Sequence, residues 1–305
     1  MPENRKQVLI TYIKLFAAIA IWGGSFIATK IAVREVSPVT VVWLRFLIGI
    51  VILGVIARSR DELAIPTKKD GLDLVMLGFL GITLHQWLQS TGLVTSEAST
   101  TAWLVSTTPI FMALLGWLFF KEKITLLIAS GILLASIGVL FVITKGNFLS
   151  IFGGNFGAPG DILIILSAPN WALFSVLSKP LLHRLSPLKV TFYTLFFGWL
   201  LTSVQFLAVR GWSEFSQLSW SGWASIGFLG VFCSALAYIF YNEGVKHFTS
   251  TQVGVFLYLE PVVATLVAVF VLSERFTWAS LAGAGFIVLG VWVVNRQKNP
   301  EDDLA

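Results

Sequence analysis

The chain has 305 residues, of which 56% are hydrophobic and only 12% are charged. Soluble domains carry about 25% charged residues, so this composition excludes an ordinary water-soluble protein and indicates several membrane crossings. The single cysteine, Cys233, excludes an intrachain disulfide and a cysteine-based metal site. The net charge of +5 is attributed to loop lysines and arginines that set membrane orientation, so no nucleic-acid partner is predicted. No cofactor is predicted either.

Apolar runs of about 20 residues, long enough to span a bilayer as a helix, occur ten times along the chain. In chain order they cover residues 11–29, 38–57, 71–92, 99–119, 125–143, 160–181, 187–209, 220–241, 250–272 and 277–294. Most connections are short, which predicts that neighbouring helices are antiparallel. Residues 147–159, rich in Gly and Asn, are predicted to form a linker, and residues 296–305 a cytoplasmic tail.

Lysine and arginine are distributed unevenly between the two sides of these spans. Fifteen of them fall on the side of the N-terminus and five on the other side, with Arg45 inside a span. Cytoplasmic loops are enriched in positive residues, so both termini are predicted to be cytoplasmic. The predicted location is the inner, or cytoplasmic, membrane.

The two halves of the chain repeat one pattern. Trp22 and Trp171 lie 149 positions apart, and so do the GFLG segments at 78–81 and 227–230. After a short insertion in the second half, the separation becomes 152 and matches Pro109 with Pro261. Regular self-similarity of this kind indicates a duplicated structural unit.

Each copy holds five spans, and an odd number forces the copies into opposite orientations in the membrane. Inverted repeats of this kind are typical of secondary transporters, whose sites lie where the repeats meet. The predicted fold is therefore an all-α membrane protein with ten transmembrane helices, arranged as two inverted five-helix repeats around a central cavity. The predicted repeats cover residues 1–146 and 160–295.

Three segments resemble the EamA branch of the drug/metabolite transporter superfamily. They are WGGSF at 22–26, WLRFLI at 43–48 and the long segment at 241–277, and the resemblance extends over nearly the whole chain. It implies ten helices around a central cavity and the movement of small metabolites by alternating access. It also implies that export of amino acids or related compounds is a common activity, although the motifs identify the family rather than a substrate.

Glu260 and Pro261 interrupt the most apolar part of the segment at 241–277. An ionisable group at that depth costs about 3 kcal/mol on insertion scales, which makes Glu260 a functional candidate. It would pair with a substrate amine or carry a proton, and the alternative is a neutralised glutamate that stabilises a kink at Pro261. Thr108 occupies the matching position in the first half, so only one copy has the charge, which favours the functional interpretation.

Other polar residues inside the spans are predicted to line the cavity. A guanidinium group binds carboxylates through two parallel hydrogen bonds, so Arg45 would hold a substrate carboxylate. The alternatives are an ion pair with Glu260 and a side chain that extends to the membrane interface. His85, Gln86 and Gln89 give the third span a polar face, and its alternative role is hydrogen bonding between helices.

Deep aromatic residues would stack on a planar or cationic substrate, and their alternative role is packing. The aromatic candidates are Trp22, Trp103, Trp171, Tyr238 and Tyr258, and Ser25 is a further candidate for substrate binding. Helix kinks are predicted at Pro109, Pro169 and Pro261, and Asn170 is predicted to bond a carbonyl freed by the kink at Pro169.

The last span of each half is rich in small residues and is predicted to serve in helix packing rather than in the site. Glu122 and Thr125 are interpreted as turn and helix-capping residues. No GxSxG, P-loop, HExxH or nucleotide-binding GxGxxG motif occurs, so an enzyme is not predicted.

The sequence predicts a secondary transporter with a small-molecule substrate, surrounded by the lipid bilayer. Protons are the candidate coupling ion, and the expected assembly is a monomer or a homodimer. A membrane-embedded enzyme or a lipid scramblase is the alternative function.

Overall fold

A computed structural model describes residues 2–96, 98–143, 158–272 and 278–295 of the chain. Within those ranges the chain forms helices joined by short turns and contains no strand. Eight helices of the described chain are long and apolar enough to cross a membrane. Two shorter apolar helices, Leu126–Gly138 and Leu281–Val294, lie near the ends of the two halves. This is the architecture of an all-helical, multi-pass membrane protein.

The described part of the first half contains seven α-helices, two of which are joined by a π-helical segment. In order they are α1 (Pro2–Ala32), α2 (Pro38–Ser59), α3 (Lys68–Gly78), the π-helical segment Phe79–Leu84, α4 (His85–Thr95), α5 (Ala98–Val105), α6 (Thr108–Phe120) and α7 (Leu126–Ile143).

The second half repeats this order and adds a short 3₁₀ helix after its second helix. Its elements are α8 (Pro159–Arg184), α9 (Pro187–Ala208), the 3₁₀ helix Gly211–Gln217, α10 (Trp220–Phe228), the π-helical segment Leu229–Leu236, α11 (Ala237–His247), α12 (Ser250–Phe256), α13 (Leu259–Leu272) and α14 (Trp278–Asn295). The insertion detected in the sequence of the second half falls in the region of its π-helical segment.

Matching Ser-Pro pairs begin the second helix of each half. The Ser37 hydroxyl accepts the backbone N–H of Thr40 at 3.4 Å, and the Ser186 hydroxyl accepts that of Lys189 at 3.1 Å. A serine N-cap followed by proline in the first turn is a strong helix-start signal, because proline needs no hydrogen-bond partner there. The start of each of these helices is therefore encoded locally.

The two halves pack against each other in a reciprocal pattern. Helix α1 packs on α11 and α13, while α8 packs on α4, α5 and α6. Helix α2 packs on α9, and α7 packs extensively on α14. The first helix of each half therefore lies against the third and fourth spanning segments of the other half.

Glycines allow the close approach of α7 and α14. A methyl group at Gly138 would lie 2.5 Å from the carbonyl oxygen of Gly283, and one at Gly290 would lie 2.5 Å from that of Gly131. No side chain fits in these positions, so the two backbones are in direct contact. The prediction that these small-residue helices serve in packing is confirmed.

Pro109 and Pro261 do not kink continuous helices, which corrects the prediction. Helix α5 ends at Val105 and α6 begins at Thr108, so Pro109 is the second residue of a new helix. In the second half the break lies at residues 257–258, and Pro261 is the third residue of α13. Proline is tolerated in a first turn because its missing N–H would have no partner there. Pro169, in contrast, lies within the uninterrupted helix α8.

The carbonyls near these breaks are satisfied differently in the two halves. The Thr108 hydroxyl donates to the carbonyl of Val105 at 2.6 Å, whereas the Leu257 carbonyl accepts the backbone N–H of Glu260 at 3.1 Å. The side chain of Glu260 therefore does not bond the carbonyl at the break, as the matching Thr108 side chain does in the first half. Asn170 donates to the carbonyl of Leu80 in the first π-helical segment, 2.8 Å away, and not to a carbonyl of its own helix as predicted.

Candidate functional site

A narrow cavity lies between the two halves. Its empty volume is about 540 Å³ when its mouth is included. Only about 30 Å³ of this can hold the centre of a water molecule, which is room for about two waters. A metabolite of ordinary size therefore requires the surrounding helices to move apart.

The structure brings most of the predicted site residues together around this cavity. They come from α1, α2, α4, α8, α11 and the start of α13, so both halves contribute. The predicted residues that line the cavity are Trp22, Ser25, Arg45, His85, Gln86, Gln89, Trp171, Tyr238 and Glu260.

Trp103 and Tyr258 lie outside the cavity lining, which corrects their predicted placement. Trp103 and Tyr258 belong to a separate apolar cluster that includes Ile287 of α14, and the Tyr258 hydroxyl lies 3.2 Å from that of Ser136 on α7. Tyr258 lies two positions before Glu260, in the break that precedes α13, and the two side chains belong to different groups of residues. Depth in the membrane does not determine which face a residue occupies.

Arg45 is held by residues from both halves. It is 3% exposed, and its Nε donates to the Ser234 hydroxyl at 3.0 Å while its Nη1 donates to Gln86 Oε1 at 3.0 Å. The Gln86 amide in turn donates to the Tyr238 hydroxyl at 3.3 Å. Ser234 lies in the second π-helical segment, and Gln86 is the second residue after the first. Interrupted helices therefore orient the guanidinium group.

The Arg45–Glu260 ion pair considered from the sequence is not formed. Within the described ranges, no carboxylate oxygen lies within 4.0 Å of the Arg45 guanidinium. Removal of a charge from water costs several kcal/mol, and a partner normally offsets this cost. Among the residues that the structure describes, the buried Arg45 cation therefore has no anionic partner.

Glu260 lies at the beginning of α13, beside the helix break. It is 6% exposed, lines the cavity, and its carboxylate makes no hydrogen bond or ion pair with the described residues. The amide dipoles at a helix N-terminus stabilise a negative charge. Glu260 lies in the first turn of α13, where these dipoles favour a negative charge, and its side chain lines the cavity.

His85 and Gln89 form the polar wall contributed by α4. The His85 ring lies 4.7 Å from the Trp171 ring, and Gln89 donates to the Ser167 hydroxyl at 3.5 Å. His85 Nδ1 and the Ser90 hydroxyl are buried without a hydrogen-bond partner in the described structure. Buried polar atoms are nearly always paired, so these two atoms are available to hydrogen-bond a molecule in the cavity.

The aromatic wall is fixed by ring contacts and one indole hydrogen bond. Trp22 and Trp171, the matching tryptophans of the two halves, meet at 5.2 Å with their rings nearly perpendicular. Trp22 also lies 5.4 Å from the Tyr238 ring, and its indole N–H donates to the Cys233 carbonyl at 3.1 Å. The Ser25 hydroxyl donates to the carbonyl of Trp22 at 2.7 Å.

Six further residues of the lining were not predicted from the sequence. They are Phe26, Thr29, Ser90, Leu93, Val105 and Leu257. Helical spacing would have identified Thr29, which lies four residues after Ser25 on the same face of α1. No sequence signal indicates that Ser234 contacts Arg45. No group of three or more His, Cys, Asp or Glu residues in the described ranges has the geometry to hold a metal ion.

Two similar sets of membrane helices around a cavity with polar residues are typical of membrane transporters. A model of the EamA-like transporter family matches residues 9–144 and again residues 158–296. The chain therefore belongs to the EamA-like transporter family, and the resemblance noted in the sequence is confirmed.

Related proteins with similar sequences are named as transporters. An uncharacterized transporter of Archaeoglobus fulgidus is 26% identical over 95% of this chain and 98% of its own length. YyaM of Bacillus subtilis, also an uncharacterized transporter, is 29% identical over 92% of each chain. A Chlamydia muridarum relative is named an S-adenosylmethionine/S-adenosylhomocysteine transporter and is 24% identical over 93% of this chain and 91% of its own.

The fold also occurs among solved structures. One crystal structure has a TM-score of 0.74 and 20% sequence identity, covering 94% of this chain and 98% of the other. At that identity the similarity shows a shared fold alone.

Proposed function

We propose that this protein is a secondary transporter that exports small metabolites, such as amino acids or related compounds, across the inner membrane by alternating access. The observation that carries this proposal is the pair of buried ionisable side chains, Arg45 and Glu260, which line one cavity without an ion pair between them. A substrate with both a carboxylate and an ammonium group would complement them. The family assignment favours this function over the membrane-embedded enzyme or lipid scramblase considered above.

The proposed architecture is two inverted five-helix repeats, residues 1–146 and 160–295, with a linker at 147–159 and a tail at 296–305. The reciprocal packing of α1 and α8 on the opposite halves supports it, as does the double match of the family model. Equivalent breaks before α6 and α13 also support it, since interrupted helices surround the sites of many transporters. Both termini are placed in the cytoplasm because of the lysine and arginine distribution.

We assign the substrate carboxylate to Arg45 and the substrate ammonium group, or a coupling proton, to Glu260. Polar contacts would come from Ser25, His85 and Gln89. Gln86 both lines the cavity and orients Arg45. The rings of Trp22, Trp171 and Tyr238 would contact the apolar part of the substrate. The proposed assembly is a monomer or a homodimer.

The experiment is flux into proteoliposomes that contain the purified protein. The panel includes neutral, aromatic and charged amino acids, together with S-adenosylmethionine and S-adenosylhomocysteine because of the Chlamydia muridarum relative. We expect saturable flux of at least one compound. Absence of flux for the whole panel, with and without an imposed proton gradient, would reject the proposal, and scrambling of a fluorescent lipid in the same vesicles would support the alternative.

Glu260→Gln tests the assigned role of the carboxylate. We expect flux to fall at least about tenfold, equivalent to the loss of about 1.4 kcal/mol of interaction with the transported cation. Glu243→Gln is the matched control, because Glu243 pairs with Lys14 at 2.6 Å outside the cavity. Equal flux in Glu260→Gln and the unmodified protein at every pH would exclude the coupling role.

A further inference from the structure

Two lysines occupy equivalent positions in the two halves. Lys30 lies eight residues after Trp22 in α1, and Lys179 lies eight residues after Trp171 in α8. Eight helical residues extend about 12 Å. The two tryptophan rings meet at the cavity, so each lysine lies about two helical turns away from that meeting point.

The lysines lie at opposite ends of the cavity because α1 and α8 run in opposite directions. The backbone N–H of Gly160, at the start of α8, donates to the Thr95 hydroxyl at the end of α4, 2.9 Å away. Lys30, at the end of α1, contacts the same end of α4. Helix α8 therefore begins where α1 ends, and Lys179 lies at the other end of the molecule.

Lys179 takes part in a contact that joins the two halves at its end of the cavity. Its Nζ lies 3.3 Å from Glu122 Oε1, on the turn that follows α6. The Glu122 carboxylate also accepts the backbone N–H of Ser250 at 2.8 Å, and the N–H and hydroxyl of Thr251 at 3.2 and 3.1 Å. Glu122 was interpreted from the sequence as a turn residue, and its carboxylate in fact connects the first half to α8 and α12.

Lys30 forms the corresponding contact at the opposite end. Its Nζ donates to the carbonyls of Leu93 and Ser96 at 2.6 and 2.7 Å, at the end of α4. The Ser96 hydroxyl donates to Asp161 Oδ1, in the first turn of α8, at 2.5 Å. The Lys30 contact therefore connects α1 and α4 of the first half to α8 of the second.

We propose that these contacts are two clamps that close the cavity toward opposite sides of the membrane. The Lys179 clamp consists of Lys179, Glu122 and the first turn of α12, and the Lys30 clamp consists of Lys30, the end of α4 and Asp161. Each clamp uses a buried or half-buried charged group with several hydrogen bonds, which are stronger than neutral ones. Both clamps are formed in a structure whose cavity has room for about two waters.

Release of one clamp would let the halves separate at that end while the other end stays closed. This inference rests on the proposed transport function, because alternating access requires two closures that open in turn. It predicts that loss of Lys179 exposes the cavity to one side of the membrane and that loss of Lys30 exposes it to the other side.

Thiol labelling tests this prediction without a known substrate. Ser25→Cys places a reporter in the cavity lining, in a Cys233→Ser background that removes the native thiol. A membrane-impermeant methanethiosulfonate is added to sealed vesicles of either orientation. Lys179→Met should raise the labelling rate about tenfold from the side of Glu122, and Lys30→Met about tenfold from the other side, in keeping with the loss of a charge-assisted hydrogen bond.

The matched control is Arg184→Met, which removes ion pairs from the exposed Arg184 side chain to Asp70 and Asp73. Ion pairs of an exposed side chain contribute little, so both labelling rates should stay unchanged. Lys179→Arg should restore the slow rate. Glu122→Gln keeps the shape of the side chain and should reproduce the effect of Lys179→Met even if that variant folds poorly. Faster labelling from the same side in both lysine variants, or unchanged labelling in both, overturns the inference.

The labelling and flux results separate the two proposals. If labelling changes as expected but no compound of the panel is transported, the clamps stand and the transport proposal fails. If transport is normal but labelling is unchanged in both lysine variants, the transport proposal stands and the clamps fail.

Discussion

Adjacent glycines in α1 allow a direct test of the contact that positions Glu260. A methyl group at Gly23 would lie 2.9 Å from the Glu260 backbone oxygen and 2.9 Å from Val263 Cβ, both in α13. A methyl group at Gly24 would have the Phe228 ring as its nearest neighbour, at an ordinary contact distance of 3.6 Å. Gly23→Ala and Gly24→Ala therefore add the same atom in different surroundings.

The expected difference follows from two opposing effects. Alanine is favoured over glycine within a helix by up to about 1 kcal/mol, so Gly24→Ala should be neutral or slightly stabilising. At Gly23 the new methyl group overlaps a backbone oxygen and a Cβ atom, neither of which can rotate away. Overpacking of this kind costs about 1–3 kcal/mol, so Gly23→Ala should be less stable than Gly24→Ala by about that amount.

The assay is thermal unfolding of the two variants in detergent, followed by tryptophan fluorescence, together with proteoliposome flux. We expect a lower Tm for Gly23→Ala and a lower flux, because α13 must move away from α1 and take Glu260 with it. Gly24→Ala should keep the Tm and the flux of the unmodified protein. If the two variants have the same Tm and the same flux, the close contact between α1 and α13 does not exist as described.

Thr108→Val removes the donor to the Val105 carbonyl, which becomes a buried unsatisfied group and should lower the free energy of unfolding by about 1–3 kcal/mol. Ser130→Ala removes a similar bond at an exposed site and should change it by less than about 0.5 kcal/mol, so equal Tm shifts would contradict the first effect. The Ser219 hydroxyl and backbone N–H donate to the Glu35 carboxylate and lower its pKa. This contact therefore stabilises the folded state at pH values above the ordinary carboxyl pKa, and the stabilisation is lost as the pH falls through the lowered pKa. Glu35→Gln should therefore flatten the decline of Tm between neutral and acidic pH, and an unchanged slope would argue against this contact.

Local sequence signals predicted many of the helices closely. The span predicted at residues 38–57 corresponds to α2 (Pro38–Ser59), and the span at 187–209 corresponds to α9 (Pro187–Ala208). Both rest on continuous hydropathy and on a Ser-Pro start, which act within a few residues. The first residue of the predicted final span, 277, lies outside the described residues, as do nearly all of the predicted linker and the tail.

The interruptions of the helices could not be predicted in the same way. The two π-helical segments occur in sequences that have the composition of ordinary apolar spans, whereas Pro109 and Pro261 lie close to the two helix breaks. The carbonyl of Leu80, in the first π-helical segment, accepts a hydrogen bond from Asn170, 90 positions away in the chain. Such partners exist only after the two halves have packed together.

By itself the sequence determined that this is a membrane protein of paired halves with a rare buried carboxylate, because composition, hydropathy and self-similarity are properties of the chain alone. The tertiary structure decided which polar residues share the cavity. Arg45 donates a hydrogen bond to Ser234, which is 189 positions away in the chain. Trp103 and Tyr258, which were also predicted to lie deep in the membrane, contact α7 and α14 instead. The physical reason is that the face a residue occupies, and the partner of a buried charge, depend on how helices from opposite halves pack.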